Sequence, residues 1–173
     1  DYNTVDMSER QFREFYMPPY KAGVDAGALS VMTAFNEYDG VPATANAYLI
    51  KDLLKGDWNF QGFVVTDYTS INEVVHHGYA RDDADAGVKA VNAGVDMDLQ
   101  GEVYFNYLKG LVESGYVSQR RIDDAVRRIL NVKAKLGLFD DPYRYCDNAR
   151  EDKVVSNPEI KALSRDVARK SMV

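Results

Sequence analysis

The stretch from Gly62 to Tyr68, GFVVTDY, combines a glycine, a short apolar run and an acid followed by an aromatic residue. An uninterrupted apolar run of this length is typical of a β-strand that is buried on both faces. Asp67 ends the strand, where a carboxylate contributes little to packing and is well placed for chemistry. From position alone an alternative stays open, in which Asp67 caps the turn that begins at Thr69 or Ser70.

Two other stretches, residues 28–35 and 95–99, have the same character, and each also follows a glycine. The three strand starts lie roughly 33 residues apart, which is close to the length of one unit in an eightfold β/α barrel of ~250 residues. Helical patterns separate them, so the strands should be parallel and covered by helices. The sequence therefore predicts an α/β fold, namely the C-terminal portion of a (β/α)8 TIM-type barrel with about three β/α units.

The helices have recognisable start signals. They are Ser8 with Gln11, Asn46, Asp82 or Asp83, Ser118, and Asn157 followed by Pro158. Pro18 and Pro19 are expected to interrupt the first helix, and the polar residues 140–155 are expected to be irregular. We expect residues 1–140 to form the partial barrel, and residues 141–173 to form a linker and a helix that lead to a further domain.

Composition narrows the function classes. The chain of 173 residues has a formal net charge of -6 and lacks a basic stripe for phosphates, so we expect no nucleic-acid partner. The local Lys/Arg excess at residues 120–135 is interpreted as the exposed face of a helix. No apolar stretch approaches the ~20 residues that span a bilayer. Cys146 is the sole cysteine, so an internal disulfide is excluded.

Acids at strand ends also allow a metal site. Asp96 and Asp98 alternate on one face of their strand and could bind a divalent cation together with Asp67, as in magnesium-dependent barrel enzymes. No metal-ligand spacing motif accompanies them, so we expect neither a metal nor a cofactor and keep a metal-dependent barrel lyase as the alternative. His76 and His77 point about 100° apart on a helix and cannot bind one ion together. They are interpreted as surface residues or as residues that support a site.

Four motifs resemble glycoside hydrolase family 3, most closely its bacterial periplasmic subgroup. They are VMTAFNEYDGVPATAN at residues 31–46, WNFQGFVVTDY at 58–68, AGVDMD at 93–98 and LGLFDDPY at 136–143. The resemblance covers essentially the whole chain and keeps the order and spacing of the motifs. It implies a β-glucosidase that hydrolyses terminal non-reducing β-D-glucosyl residues of β-glucosides or oligosaccharides by a retaining double displacement.

The resemblance also implies residue roles. Asp67 is the expected nucleophile, because the family carries this acid after a serine or threonine at a strand end. Phe35 and Tyr68 are the expected substrate-binding residues, where many members have tyrosine and tryptophan. Both keep an aromatic wall for the sugar, while the hydroxyl lost at Phe35 puts the preferred glycone in doubt.

Other parts of the family's site are expected outside this chain. An upstream half-barrel should supply sugar-binding residues, and a downstream α/β sandwich domain should supply the acid/base glutamate. The expected partners are thus the glycoside and the rest of the same polypeptide, in a periplasmic or secreted protein. The chain alone is expected to be a catalytically incomplete fragment. Activity of the chain alone would direct the search for an acid/base to Glu37, Glu73 and Glu102.

Overall fold

The computed structural model describes residues 3–155 and 157–172. The chain divides into two compact units, residues 1–132 and residues 133–173. The strands are β1 (Thr4–Val5), β2 (Ser30–Met32), β3 (Glu37–Tyr38), β4 (Val41–Pro42) and β5 (Phe63–Val65). The α-helices are α1 (Glu9–Gln11), α2 (Met17–Asp25), α3 (Ser70–His76), α4 (Asp83–Ala93), α5 (Val103–Glu113), α6 (Gln119–Lys135), α7 (Asn148–Val155) and α8 (Pro158–Lys170).

The first unit is centred on parallel β-structure. β2 pairs with β5 in the register Met32 to Val65, and Met97 adds a parallel bridge to Val65. Two of the three predicted strands are therefore present and parallel, and the predicted strand at residues 95–99 is represented only by the parallel bridge at Met97. Because parallel strands end at the same edge, the segments that follow residues 32, 65 and 97 emerge side by side.

The two faces of this sheet differ in burial. Val64 is fully buried and belongs to the core that helices α3 and α4 cover, together with Ile71, Val74, Ala86 and Ala90. The paired residues on the opposite face of the sheet are more exposed, since Met32 is 55% and Met97 40% exposed. The helices thus cover one face of the sheet, and within the described residues the other face is open.

A small second sheet, which was not predicted from the sequence, flanks this centre. β1 pairs parallel with β3, and β3 forms an antiparallel hairpin with β4. The hairpin turns at Asp39 and Gly40, whose φ angles of 53° and 73° suit a two-residue Asp-Gly turn. The strands are two residues long, which is too short to leave an alternating pattern, but the Asp-Gly pair was a readable hairpin signal.

The predicted helix caps are confirmed. The side chains of Ser8, Asn46, Asp82, Ser118 and Asn157 each accept a hydrogen bond from a backbone N–H in the first turn of the following helical segment. These bonds satisfy amides that would otherwise lack a helical partner.

The predicted interruption at Pro18 and Pro19 is wrong, because helical structure continues through them. Residues Phe12–Tyr16 form a π-helical segment, in which Met17 N donates to Phe12 O, and the prolines fall in the first turn of α2. A proline in a first turn costs little, since its missing N–H is not needed there. A second π-helical segment, Tyr48–Asp57, follows a 3₁₀ turn at Ala43–Ala45.

The second unit contains α7 and α8. Residues 140–155 were expected to be irregular, and this is wrong for the last eight, which form α7. Asp147 caps this helix by accepting a hydrogen bond from Arg150 N at 3.0 Å, a signal that the polar composition concealed. No helix in residues 3–155 and 157–172 is long and apolar enough to cross a membrane.

Candidate active site

The backbone around Asp67 is fixed by the segment after the neighbouring strand. Leu99 N donates to Thr66 Oγ1 at 2.8 Å, and Leu99 O accepts from Thr69 N at 3.0 Å. The two bonds lie on either side of Asp67 and Tyr68 in the chain. Thr66 itself is fully buried, so the segment that carries the acid is anchored to the core.

Asp67 is half-buried, and within the described part of the chain its carboxylate is held by a local hydrogen bond. Its Oδ1 accepts from Tyr68 N at 2.6 Å. Ser70 N, the first amide of α3, donates to the backbone carbonyl of Asp67 at 3.2 Å and not to the carboxylate. The amides of Thr69 and Ser70 thus donate to the backbone carbonyls of Leu99 and Asp67, so the alternative in which the Asp67 side chain caps the turn at Thr69 or Ser70 is wrong.

Strained backbone surrounds the same edge. Thr69, Gln100 and Glu102 have φ angles of 58°, 63° and 56°, in the left-handed region that glycine favours. Each such residue costs on the order of 1–3 kcal/mol and persists only where the surroundings impose it, often at functional sites. The three lie in the loops that follow the second and third parallel strands, next to Asp67 and Asp98.

The other candidate substrate-binding residues lie at this edge too. Tyr68 is 59% exposed, and Phe35 is half-buried three residues after β2. The structure therefore brings Phe35, Asp67 and Tyr68 to the ends of neighbouring parallel strands. An accessible carboxylate with two aromatic side chains is an arrangement suited to an uncharged, polar ligand with an apolar face.

The adjacent histidines have different environments. His76 is exposed and lies 3.1 Å from Glu73 Oε2. His77 is largely buried, with Nε2 2.9 Å from Phe35 O and Nδ1 2.8 Å from Glu37 Oε1. Two of the three glutamates considered as acid/base groups, Glu37 and Glu73, are thus engaged by histidines.

Asp96, considered as a metal ligand from the sequence, is a buried ion-pair partner. Its Oδ1 accepts from Lys55 Nζ at 2.8 Å and from Arg121 Nη2 at 2.7 Å, and its Oδ2 accepts from Lys55 Nζ at 2.7 Å and Val64 N at 2.8 Å. Burial lowers the pKa of Lys55 to about 8, although the charge of Asp96 opposes the shift. Both oxygens accept from N–H donors, so this acid is not available to a metal cation.

Two basic residues predicted to lie on an exposed helix face are instead largely shielded from solvent and bind backbone carbonyls. Arg121 donates to Val91 O and Val95 O at 2.8 and 2.9 Å, and Arg128 donates to Phe60 O and Gly62 O at 2.9 Å each. The interpretation of residues 120–135 as a solvated face is therefore wrong for this pair. Their spacing of seven residues, two helical turns, places both on one side of α6 and was the signal that could have found them.

Asp98, the other metal candidate, caps a helix. Its Oδ2 accepts from Tyr104 N, in the first turn of α5, at 3.1 Å. Its Oδ1 and Asn72 Oδ1 are buried without a hydrogen-bond partner among the residues that the structure describes. Both oxygens lie over Gly101, where a Cβ atom would come within 2.5 Å of Asp98 Oδ1 and 2.8 Å of Asn72 Oδ1. Among the described residues, no group of three or more His, Cys, Asp or Glu side chains could hold a metal ion.

Parallel strands covered by helices, with the candidate carboxylate and aromatic side chains at the strand ends, define an α/β domain whose candidate site lies at the carboxyl edge of the sheet. The family profile described as "Glycosyl hydrolase family 3 N terminal domain" matches residues 1–132. The chain belongs to glycosyl hydrolase family 3.

Similar proteins carry related descriptions. The chain is 47% identical to the periplasmic beta-glucosidase of Salmonella typhimurium, over 100% of this chain and 23% of that protein. It is 35% identical to a beta-xylosidase of Formosa agariphila, over 97% of this chain and 24% of that protein. The chain thus spans about a quarter of the length of these relatives.

Solved structures agree on the fold. The crystal structure of a beta-glucosidase from Listeria innocua superposes with a TM-score of 0.84 at 45% identity, covering 88% of this chain and 21% of that chain. The beta-glucosidase structure from Erythrobacter marinus superposes with a TM-score of 0.85 at 32% identity, covering 99% of this chain and 23% of that chain. The α/β fold described above is therefore similar to that of family 3 β-glucosidase structures.

Proposed function

We propose that this chain supplies the nucleophile, Asp67, to a retaining β-glucosidase that hydrolyses terminal non-reducing β-D-glucosyl residues. The observation that carries the proposal is the pair of Leu99 backbone hydrogen bonds on either side of Asp67 and Tyr68. They hold the backbone rigid while the carboxylate stays accessible, as a nucleophile requires. Membership of family 3 and the β-glucosidases among its relatives support the substrate class.

In the first step, an Asp67 oxygen bonds to the anomeric carbon while the bond from that carbon to the aglycone oxygen breaks. An acid protonates the departing oxygen. In the second step, the same group, now a base, takes a proton from water, the water oxygen bonds to the anomeric carbon, and Asp67 departs as a carboxylate. Each step inverts the configuration at the anomeric carbon, so the two steps together retain it. We assign the acid/base to a glutamate elsewhere in the full-length protein.

The aromatic residues are assigned to binding. Phe35 and Tyr68 offer ring faces against the C–H face of the glucosyl unit. Phe35 has no hydroxyl, so it contributes no hydrogen bond from its side chain. Recognition of the sugar hydroxyls then falls largely to residues outside this chain.

We further propose that residues 1–140 are part of a (β/α)8 barrel and that residues 141–173 lead towards a sandwich domain. The open face at Met32 and Met97 supports this, because the same row would face a barrel interior once further strands completed the sheet. The length of the relatives supports a longer polypeptide. A periplasmic or secreted location is proposed from the description of the Salmonella relative.

The test is covalent trapping in the full-length protein. A 2-deoxy-2-fluoro-β-glucoside with a good leaving group should form a stable glycosyl ester, and peptide mapping should locate it on Asp67. The Asp67→Asn variant should not be labelled. The matched control is Asp98→Asn, an acid after the neighbouring strand, which should still be labelled at Asp67. A label on another carboxylate would contradict the assignment, and EDTA-sensitive turnover without labelling would favour the metal-dependent lyase.

A further inference from the structure

His77 connects two parts of the chain that carry the strand-end loops. It follows the last residue of α3, the helix that begins three residues after Asp67. Its ring reaches across to the segment after β2, where it contacts the backbone of Phe35 and the carboxylate of Glu37. Its side chain is 11% exposed and that of Glu37 is 16% exposed, so both bonds are shielded from water.

The partners fix the hydrogen positions on the ring. The Phe35 carbonyl can only accept, so His77 Nε2 carries a hydrogen and donates it. The bond between Nδ1 and Glu37 Oε1 then needs one further proton, either on Nδ1 or on the carboxyl group. A third group, Thr4, contacts the pair, since its Oγ1 donates to Glu37 Oε2 at 3.0 Å. Glu37 is thus held from β1 and from α3 at once.

We propose that His77 is a positioning residue, which holds Phe35 and the loop after β2 in place beside Asp67 and thereby sets the affinity for the glycone. The inference rests on the proposed function, since it takes Phe35 as a residue that contacts the sugar. The geometric reason is that the segment between β2 and β3 is only four residues long. A bond to the Phe35 carbonyl, in its middle, therefore fixes the direction of the Phe35 side chain.

Two amide substitutions in the full-length protein separate the two bonds. The amide nitrogen of His77→Gln reaches about as far as Nε2 and can still donate to Phe35 O, whereas that of His77→Asn lies near Nδ1 and can serve only Glu37. Glu37→Gln should preserve the contact, because its amide can donate to Nδ1 of a neutral ring. His76→Gln, on the exposed neighbour, is the matched control.

The measurements are kcat and KM for an aryl β-glucoside, competitive inhibition by glucose, melting temperature, and crystal structures of the variants. His77→Asn should raise KM and the glucose inhibition constant about tenfold with a smaller change in kcat, because a misplaced contact weakens binding. In its crystal structure the loop at residues 33–36 should be displaced. His77→Gln, Glu37→Gln and His76→Gln should stay within about threefold of wild type.

The proposal is overturned by an unmoved Phe35 in the His77→Asn structure, or by equal losses of affinity and melting temperature in both His77 variants. A wild-type protein inactive on all glycosides would refute the proposed function instead. The crystal structures would then decide alone between a displaced loop, which supports the positioning role, and an unmoved loop, which overturns it.

Discussion

Asp67 follows strand β5, Asp96 precedes the parallel bridge at Met97 beside it, and the two acids have opposite environments. The side chain of Asp96 is fully buried and accepts hydrogen bonds from Lys55, Arg121 and Val64 N. The carboxylate of Asp67 is partly exposed and accepts from the adjacent amide of Tyr68. A buried carboxylate with cationic partners stabilises a structure only as long as all partners remain. An accessible carboxylate on a fixed backbone is free to react.

The two environments differ because of where each side chain lies relative to its strand. Asp96 points towards the helices, where Lys55 of the π-helical segment Tyr48–Asp57 and Arg121 of α6 bind it. Asp67 lies beyond the last paired residue of its strand, in the loop. Position along the strand alone does not separate a structural acid from a reactive one, but burial and partners do.

The first prediction compares the substitution of Asp67 with that of Asp96 in the full-length protein. Asp67→Asn should lower kcat at least roughly 1,000-fold, about 4 kcal/mol in activation free energy, with little change in the urea midpoint. Asp96→Asn should instead lower the urea midpoint with little change in kcat, because it leaves Lys55 and Arg121 without a full counter-charge in a buried place. Steady-state kinetics and urea unfolding on the same samples measure both. A stable Asp96→Asn protein with impaired turnover would contradict the structural role of Asp96.

The second prediction removes the cationic partner. Lys55→Met should destabilise the protein by about 3 kcal/mol at pH 7, since it leaves a buried carboxylate with fewer donors. Lys51→Met is the matched control, as Lys51 lies four residues earlier in the same helical segment and is exposed. The control should change the free energy of unfolding by less than about 0.5 kcal/mol. Equal effects of the two substitutions would show that the ion pair at Asp96 contributes little.

The third prediction concerns pH. The pKa of Lys55 is lowered from 10.5 to about 8 in the folded protein, mainly by burial. Between these values the unfolded chain binds more protons than the folded one, so the contribution of Lys55 to stability rises with pH across that interval. The loss caused by Lys55→Met should therefore grow between pH 7.5 and pH 9.5, by at most about 2 kcal/mol. Urea unfolding of both proteins at several pH values measures it, and a loss that shrinks with rising pH would contradict it.

The sequence was informative wherever a local rule decides the structure. Caps such as Asp82 and Asn157 are readable because a side chain bonds to an amide two or three residues away. The strand ends were readable from apolar runs, and with them the position of Asp67. Membership of the family followed from motifs in order.

Hydrogen bonds between polar side chains far apart in the sequence could not be predicted from the sequence. The partners of Asp96 come from residues 41 and 25 positions away along the chain, and nothing in the sequence near Asp96 marks them. The same holds for His77, whose bonds to Glu37 and Phe35 span 40 and 42 positions. Both cases involve polar groups that satisfy one another after burial, so their roles follow from the tertiary fold.

The last prediction tests the loop that fixes Asp67 from the neighbouring strand. A Cβ atom at Gly101 would lie 2.5 Å from Asp98 Oδ1 and 2.8 Å from Asn72 Oδ1, closer than van der Waals contact allows. Gly101→Ala must therefore displace the Asp98 carboxylate, which caps α5, and should cost about 1.5 kcal/mol of stability.

Gly110→Ala is the matched control for this change, because Gly110 lies within α5 and nothing is within 4 Å of a Cβ atom there. It should stabilise the protein by about 0.5–1 kcal/mol, since alanine favours a helix interior over glycine. Because Leu99 lies next to Asp98 and its backbone binds both sides of the Asp67 segment, Gly101→Ala should also lower kcat/KM about threefold, while Gly110→Ala should not. Melting temperatures and kcat/KM of the two variants measure this. Full activity in a destabilised Gly101→Ala protein would show that the loop stabilises the fold without positioning the nucleophile.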